Sequence, residues 1–364
     1  MKNPAQKSKN SQGAVICGAY GFCNAGDDAV LGEILRTLRE TEPDLPVCVL
    51  SRNPRQTAEE FGVEAIPMLN LRQAGNRLRR ARLYISGGGS LLQNATSSRS
   101  LLFYLTSMVQ AKCCGCRVLL YGCGIGPIRG KLPGFLTARI LNACADAIAL
   151  RDSASARTLK ALGVRKRMAV TADPALETPA DRTGGTAWLR EQGLDPAGSY
   201  AAFCLRPWKG IEERKEDLHR AAAYVWKTYG LTPVFLPMNP REDCKMAEKL
   251  CEGLEIPHIL LPGCGKPEIL CAVLGRMRLV ISMRLHGLIF AFSQQVPAVG
   301  ISYDPKVRAF LEDTGNRACV ELEHLSGERL CREIDRAMAS PVPDPAPFRK
   351  KAKETGALAA ALLK

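Results

Sequence analysis

Short apolar runs, separated by longer stretches in which apolar residues recur at helical spacing, repeat along the whole chain. In the first half the runs are Ala14-Val15-Ile16-Cys17, Val47-Cys48-Val49-Leu50, Leu83-Tyr84-Ile85, Val118-Leu119-Leu120-Tyr121 and Ala147-Ile148-Ala149-Leu150. Unbroken runs of this length suit strands buried on both faces, and their alternation with helices predicts a parallel sheet covered on each side. The rhythm stops in a polar, Gly-containing stretch from Glu177 to Gly185 and restarts at Ala201-Ala202-Phe203-Cys204-Leu205. Further runs follow near Pro233 to Leu236, His258 to Leu261, Leu279 to Ser282 and Ala298 to Ile301. The pattern predicts an α/β chain of two doubly wound, Rossmann-like domains, over residues 1–182 and 183–345. An Ala/Leu/Lys-rich helix over 346–364 comes after a proline-rich linker and has no assigned side. The length, 364 residues, agrees with two cores rather than one.

Charge narrows the class of partner. Lys and Arg total 50 against 36 Asp and Glu, a formal +14, which attracts phosphates, anionic cofactors, nucleic acid or an anionic membrane face. The 15 cysteines are scattered through apolar segments, as reduced buried thiols are, and Cys113-Cys114-Gly115-Cys116 has no second pair at metal-ligand spacing. Neither a disulfide scaffold nor a bound metal is expected. The run behind the basic N-terminus is too short and strand-like for a signal peptide, and no stretch approaches a membrane span. The expectation is a cytoplasmic protein with at most peripheral contact at the inner membrane face.

In open α/β sheets ligands bind beyond the carboxyl ends of the strands, so the chemistry belongs in the loops that follow each run. The first loop, Gly18 to Asp28, leads into a helix beginning near Asp27; its Gly21, Asn24 and Asp27 are either substrate contacts or parts of a structural turn. Gly87, Gly88 and Gly89 stand together after Leu83-Tyr84-Ile85, an entropic cost that predicts close approach of something to that backbone, and the three are read as substrate-binding. Gln93, Asn94 and Thr96 follow and can hydrogen-bond a sugar or cap the next helix. Tyr121 to Pro127, with Gly124 at its centre, repeats the design one strand later. In the second half Arg206 ends a buried strand, where its guanidinium suits bidentate binding of a carboxylate or phosphate. Ser282-Met283-Arg284-Leu285-His286-Gly287 is the sharpest feature: Arg284 can fix a dianion while His286, titrating near neutrality, moves a proton beside it. Tyr303 and Lys306 follow the next strand and border the same region, unless they only form a strand-to-helix turn.

With these segments in order, the chain resembles the polysaccharide pyruvyl transferase family over nearly its whole length, and especially the bacterial cell-wall branch linked to secondary cell-wall polymers and S-layer anchoring. The segments that carry the resemblance are Gly21 to Asp28, Ser86 to Gln93, Tyr121 to Pro127, Arg206-Pro207-Trp208, Ser282 to Gly287 and Tyr303 to Lys306. It implies a GT-B-like fold, with two Rossmann-like domains facing a cleft. It also implies transfer of pyruvate from phosphoenolpyruvate, a co-substrate rather than a cofactor, onto a sugar as a ketal. The acceptor implied is a lipid-diphosphate-linked or oligosaccharide glycan precursor on the N-terminal side, and Arg206, Arg284 and His286 become catalytic donor-site residues. Asn94 and Cys123 stand where the family pattern has Asp and Gln.

Two other classes fit parts of the chain. A GT-B glycosyltransferase would share the fold but need a nucleotide-sugar site that the second half does not display. A nucleic-acid-binding protein would use the positive charge, but the cations are dispersed and aromatic residues are only 6%, so no nucleic acid partner is expected. The clusters Arg72 to Arg82 and Arg129 to Arg139 are read as an ordinary solvated helix face or as a basic face toward anionic lipid or a lipid diphosphate.

Overall fold

The computed structural model describes residues 13–95 and 97–364; Thr96 and the basic N-terminal residues 1–12 lie outside the described residues. Two compact units divide the chain. The first holds residues 13–22, 27–177 and 347–364; the second holds Cys23–Gly26 and Thr178–Ala346.

The first unit is built on seven strands: β1 (Gly13–Cys17), β2 (Val47–Ser51), β3 (Glu64–Pro67), β4 (Ala81–Gly87), β5 (Arg117–Cys123), β6 (Ala147–Leu150) and β7 (Met168–Val170). All are parallel, in the order β3-β2-β1-β4-β5-β6-β7. The connecting helices are α1 (Ala25–Thr41), α2 (Pro54–Phe61), α3 (Leu71–Leu78), α4 (Ser98–Cys113), α5 (Lys131–Cys144) and α6 (Ser153–Ala161). Val15, Tyr84 and Leu120 of the central strands pack with Leu105, Met108 and Leu141 of the helices in one apolar core.

The second unit opens with α7 (Arg182–Glu191) and continues β8 (Tyr200–Cys204), α8 (Lys215–Tyr229), β9 (Thr232–Phe235), α9 (Pro240–Cys251), β10 (Ile259–Leu260), α10 (Pro267–Leu274), β11 (Leu279–Ser282), α11 (Leu285–Ser293), β12 (Ala298–Ser302), α12 (Pro305–Asp313), β13 (Cys319–Glu321) and α13 (Gly327–Ala339). Its six strands are also parallel, ordered β10-β9-β8-β11-β12-β13. Phe203 and Phe235 stack within its core, ring centroids 5.3 Å apart. The last helix, α14 (Ala346–Leu363), joins the first unit, where its buried Thr355 hydroxyl donates to that of Thr171 (2.8 Å) and Gly356 lies against Thr37.

The strands expected from apolar runs are all present. Those that the pattern did not announce, β3, β7 and β13, lie at sheet edges. Only Ile66 of β3 and Val320 of β13 are buried, and no residue of β7 is. An edge strand packs too little apolar surface to need a continuous hydrophobic run.

The glycine triplet at the end of β4 has a packing explanation. A Cβ on Gly88 would strike Val30 of α1, and one on Gly87 would strike Ile34 of the same helix and come within 2.5 Å of the Tyr20 hydroxyl. What approaches this backbone is the protein's own first helix. Gly88 also has φ +67. Gly62, at φ +62, has only the end of the Arg39 side chain within 4 Å, 3.9 Å away, so the two positions share backbone strain but differ in crowding. Gly88→Ala should therefore destabilise the protein by about 1–3 kcal/mol more than Gly62→Ala in urea denaturation, the cost of overpacking; equal losses would show that α1 does not require the glycine.

Candidate functional site

In a sheet of this order the connections leave the two central strands in opposite directions, and a crevice opens beyond their carboxyl ends. In the second unit those strands are β8 and β11, paired with Ser282 beside Cys204. The next residues along the chain bring Arg206 and Arg284 to the two sides of this switch point.

The turn after β11 is held tightly. The buried Ser282 hydroxyl donates to the Arg284 carbonyl (2.7 Å), the Met283 N–H donates to the Cys204 carbonyl (3.0 Å), and Arg284 is the N-cap of α11. Gly287 is needed for closeness, since a Cβ there would lie 2.5 Å from Ser282 Oγ and 3.1 Å from Met238 Sδ.

Arg284 is buried and forked onto Asp243, a fully buried carboxylate in the first turn of α9. Its Nε donates to Asp243 Oδ2 (3.0 Å) and its Nη2 to Asp243 Oδ1; Asp243 Oδ2 also accepts from the Met238 and Asn239 N–H groups (3.2 and 2.9 Å). Burial alone would lower the pKa of Arg284, but the bonds to Asp243 and Glu242 outweigh it and raise it, so the guanidinium stays charged.

Glu242 links the two arginines. Its Oε2 accepts from Arg284 Nη2 at 2.9 Å and lies 3.6 Å from Arg206 Nη2, while half of its side chain is exposed. Arg206 also donates to the Tyr303 hydroxyl (3.1 Å) and lies 5.5 Å from the Trp208 ring centroid and 5.3 Å from that of Tyr303. Lys306 Nζ is 5.6 Å from the Tyr303 ring and 3.6 Å from Asp304 Oδ2. Arg206 Nε and Asn239 Oδ1 are buried polar atoms without a hydrogen-bond partner among the described residues. The end of this sheet thus carries two fixed guanidiniums, an ammonium and the paired rings of Trp208 and Tyr303, 4.6 Å apart and tilted by 54°, an arrangement suited to a small anion with more than one charged group.

His286 lies one residue into α11, its ring 6.5 Å from that of Phe290. The ring also packs on Gly26, where a Cβ would collide with it, and the Ala25 N–H donates to the Met238 carbonyl (3.4 Å). Asn24, in the same segment, accepts from the Gly26 N–H through Oδ1 (3.3 Å). Asn24 and His286 therefore both belong to the second unit.

The first unit arranges its expected residues around a different centre. Gly21 lies against Ser51 and Asn53, and Asp27 beside Gly89. The loops after β4 and β5 are joined by bonds from Gly88 N to the Tyr121 carbonyl (3.0 Å), Gly124 N to the Gly89 carbonyl (2.9 Å) and Gly126 N to the Leu92 carbonyl (3.1 Å). Asn94 exchanges bonds with the Arg129 backbone (2.8 and 2.7 Å), and Gln93 packs on Gly126. Gly124 is small because the Arg151 guanidinium lies on it, 2.6 Å from where a Cβ would be. Arg151 is itself buried, donating to Asp173 (3.0 Å) and Ser90 (3.0 Å), with Asp152 at 3.5 Å.

Sequence reasoning missed Arg151, Glu242 and Asp243. Arg151 carried the signal that singled out Arg206, a cation directly after a buried strand. The two acids follow Asn239-Pro240 at a helix start, where carboxylates complement the helix dipole and draw no notice.

Among the described residues, no helix is long and apolar enough to cross a membrane, and no three His, Cys, Asp or Glu side chains group as a metal site. The solved structures with similar folds include the UDP-GlcNAc 2-epimerase from Methanocaldococcus jannaschii, at 12% identity, covering 96% of this chain and 99% of that one with a TM-score of 0.68. A UDP-N-acetylglucosamine 2-epimerase from Listeria monocytogenes matches at 14% identity, 96% and 95% coverage and a TM-score of 0.66. HepE from Anabaena, solved with UDP-glucose, matches at 13% identity, 95% and 99% coverage and a TM-score of 0.57. At these identities the likeness is one of fold, and the fold is GT-B-like. No curated protein matches the chain. The family description "polysaccharide pyruvyl transferase" matches residues 24–305, a span that takes in Arg206, Glu242, Asp243, Arg284, His286 and Tyr303, and the chain belongs to that family.

Proposed function

We propose that this transferase moves pyruvate from phosphoenolpyruvate onto a sugar of a cell-wall glycan precursor, carried on a lipid diphosphate, as a ketal, with release of phosphate. The observation that carries the proposal is the meeting of Arg206 and Arg284 at one oxygen of Glu242, a carboxylate of the protein's own in a position that a substrate carboxylate or phosphate can take.

The reaction needs few groups. A proton adds to the methylene carbon, a sugar hydroxyl bonds to the neighbouring carbon, phosphate leaves with the C–O bonding pair, and a second hydroxyl closes the ketal. The two hydroxyl protons balance the new methyl hydrogen and the proton on the released phosphate. In this scheme Arg206 and Lys306 hold the donor's anionic groups once Glu242 has swung aside. Arg284, fixed by Asp243, stabilises the charge that grows on the leaving phosphate. His286 delivers the proton, to the methylene carbon or to the phosphate. The acceptor sugar is assigned to the first unit, on the loops carrying Gln93 and Asn94. A nucleotide-sugar reaction is the competing reading, prompted by the UDP-sugars bound in two of the similar solved structures.

The deciding assay incubates the chain with phosphoenolpyruvate and a lipid-linked disaccharide. Phosphate release should require both, and the product should gain the pyruvyl mass; turnover of a nucleotide sugar instead would sink the proposal. In the same assay Arg206→Lys should lower kcat/KM by about 100-fold, because an ammonium cannot reproduce a guanidinium fork.

Removing the charge of Glu242 should work in the opposite sense on binding. Glu242→Gln takes away a competitor for both arginines and should lower the KM for phosphoenolpyruvate by about twofold to fivefold, the range expected for one exposed charge contact; a raised KM would mean that Glu242 assists donor binding.

The contact between Gly26 and His286 gives a third test. Gly26→Ala should fold normally by circular dichroism yet lose at least about tenfold in kcat, since displacing a catalytic group by an ångström is costly. Wild-type turnover in that variant would remove His286 from the chemistry.

A further inference from the structure

From Ala65 to Ala145 the chain contains eleven Lys or Arg and no Asp or Glu; all 36 acids lie elsewhere. A second acid-free stretch runs from Ser153 to Ala172 with five more cations. In a chain whose acids and bases are otherwise interspersed, this concentrates the positive charge on part of the first unit.

The fold turns the run into a surface. Helices α4 and α5 connect the neighbouring parallel strands β4, β5 and β6, so right-handed crossovers lay them on one face of the sheet, where they pack together and α3 packs on α4. Leu101, Leu105 and Met108 of α4 and Thr137, Ala138 and Leu141 of α5 face inward. The outward side carries large apolar groups where solvent-facing helices ordinarily carry polar ones: Leu132 is 67% exposed, Phe135 59% and Leu102 54%. Around them Arg99, Arg129, Lys131, Arg139, Arg165 and Lys166 are exposed, and none forms an ion pair among the described residues. Phe135, Arg139 and Ala143 of α5 share an open groove with Leu162, Arg165 and Lys166.

Exposed leucine and phenylalanine ringed by unpaired cations, without a carboxylate among them, match an interface that is apolar below and anionic above. A nucleic acid would satisfy the cations but leave Leu102 and Leu132 in water. We infer that the outer face of α4 and α5 docks on an anionic phospholipid bilayer, with Leu132 and Phe135 entering the headgroup boundary and the surrounding arginines and lysines engaging lipid phosphates. This docking does not depend on the transfer reaction proposed above, although an acceptor held on a lipid would give it a use.

Sedimentation of the full chain with vesicles tests it directly. The protein should pellet with phosphatidylcholine vesicles containing about one third phosphatidylglycerol, fail to pellet with phosphatidylcholine alone, and be released progressively by salt. Leu132→Ser combined with Phe135→Ser should weaken partitioning at least about tenfold without changing the thermal melt, because both side chains lie in water in the free protein. Lys131→Glu with Arg139→Glu should weaken it similarly through charge. Absence of phosphatidylglycerol-dependent pelleting would overturn the inference. So would wild-type partitioning of the Leu132/Phe135 variant, or tighter binding to a single-stranded oligonucleotide than to the vesicles.

Discussion

The second unit's site depends on one buried ion pair. Asp243 has no exposed side-chain surface, so its charge is tolerable only because Arg284 forks onto it and the Met238 and Asn239 N–H groups donate to it. That pair ties the loop after β9 to the turn after β11, and with it the start of α9 to the start of α11. Glu242 is thereby held next to Arg206, and His286 is carried on a helix whose first turn cannot drift. Loss of either partner would leave an uncompensated buried charge, worth about 3–5 kcal/mol. Arg284 is therefore both structural and electrostatic: a cation whose position is set before any substrate arrives.

The two units share strand order but use their switch points differently. In the first unit the region beyond β1 and β4 is filled by Tyr20, whose buried hydroxyl donates to the Gly87 carbonyl (2.8 Å), and by Val30 and Ile34 of α1. Burial pushes the Tyr20 phenol far above its ordinary pKa, with the Asp27 carboxylate adding to the effect, so it remains a neutral hydrogen-bond donor. The polar groups of the neighbouring loops converge instead on Arg151. In the second unit the corresponding place is lined by the buried Arg284 and by Arg206 and Glu242, whose side chains reach solvent. One topology thus supplies a packed shoulder in one half and a charged site in the other, which is why the fold alone says little about chemistry.

What could be read from the sequence follows burial. Central strands such as Val118 to Tyr121 are buried on both sides and show as apolar runs, whereas β7, half-exposed at an edge, offers only the three residues Met168-Ala169-Val170. Arg206, Arg284 and His286 were legible because polar residues directly after an apolar run have few structural reasons to be there. Glu242 and Asp243 were not, because acids in the first turn of a helix are ordinary. The glycine triplet did signal close approach, and Val30 and Ile34 are what a Cβ on Gly88 or Gly87 would meet; a sequence does not distinguish a helix from a ligand as the neighbour that demands a glycine. The acid-free run from Ala65 to Ala145 is plain in the sequence, but which of its residues face outward appears only once α4 and α5 are laid on the sheet.

The central claim is that an anionic donor takes the place of Glu242 between two arginines, and a crystal structure of the protein with phosphoenolpyruvate bound tests it most directly. The account predicts a carboxylate or phosphate oxygen within hydrogen-bond distance of both Arg206 and Arg284, with Glu242 turned away and the fork between Arg284 and Asp243 intact. Phosphoenolpyruvate bound elsewhere, with Glu242 still joining the two guanidiniums, would contradict it.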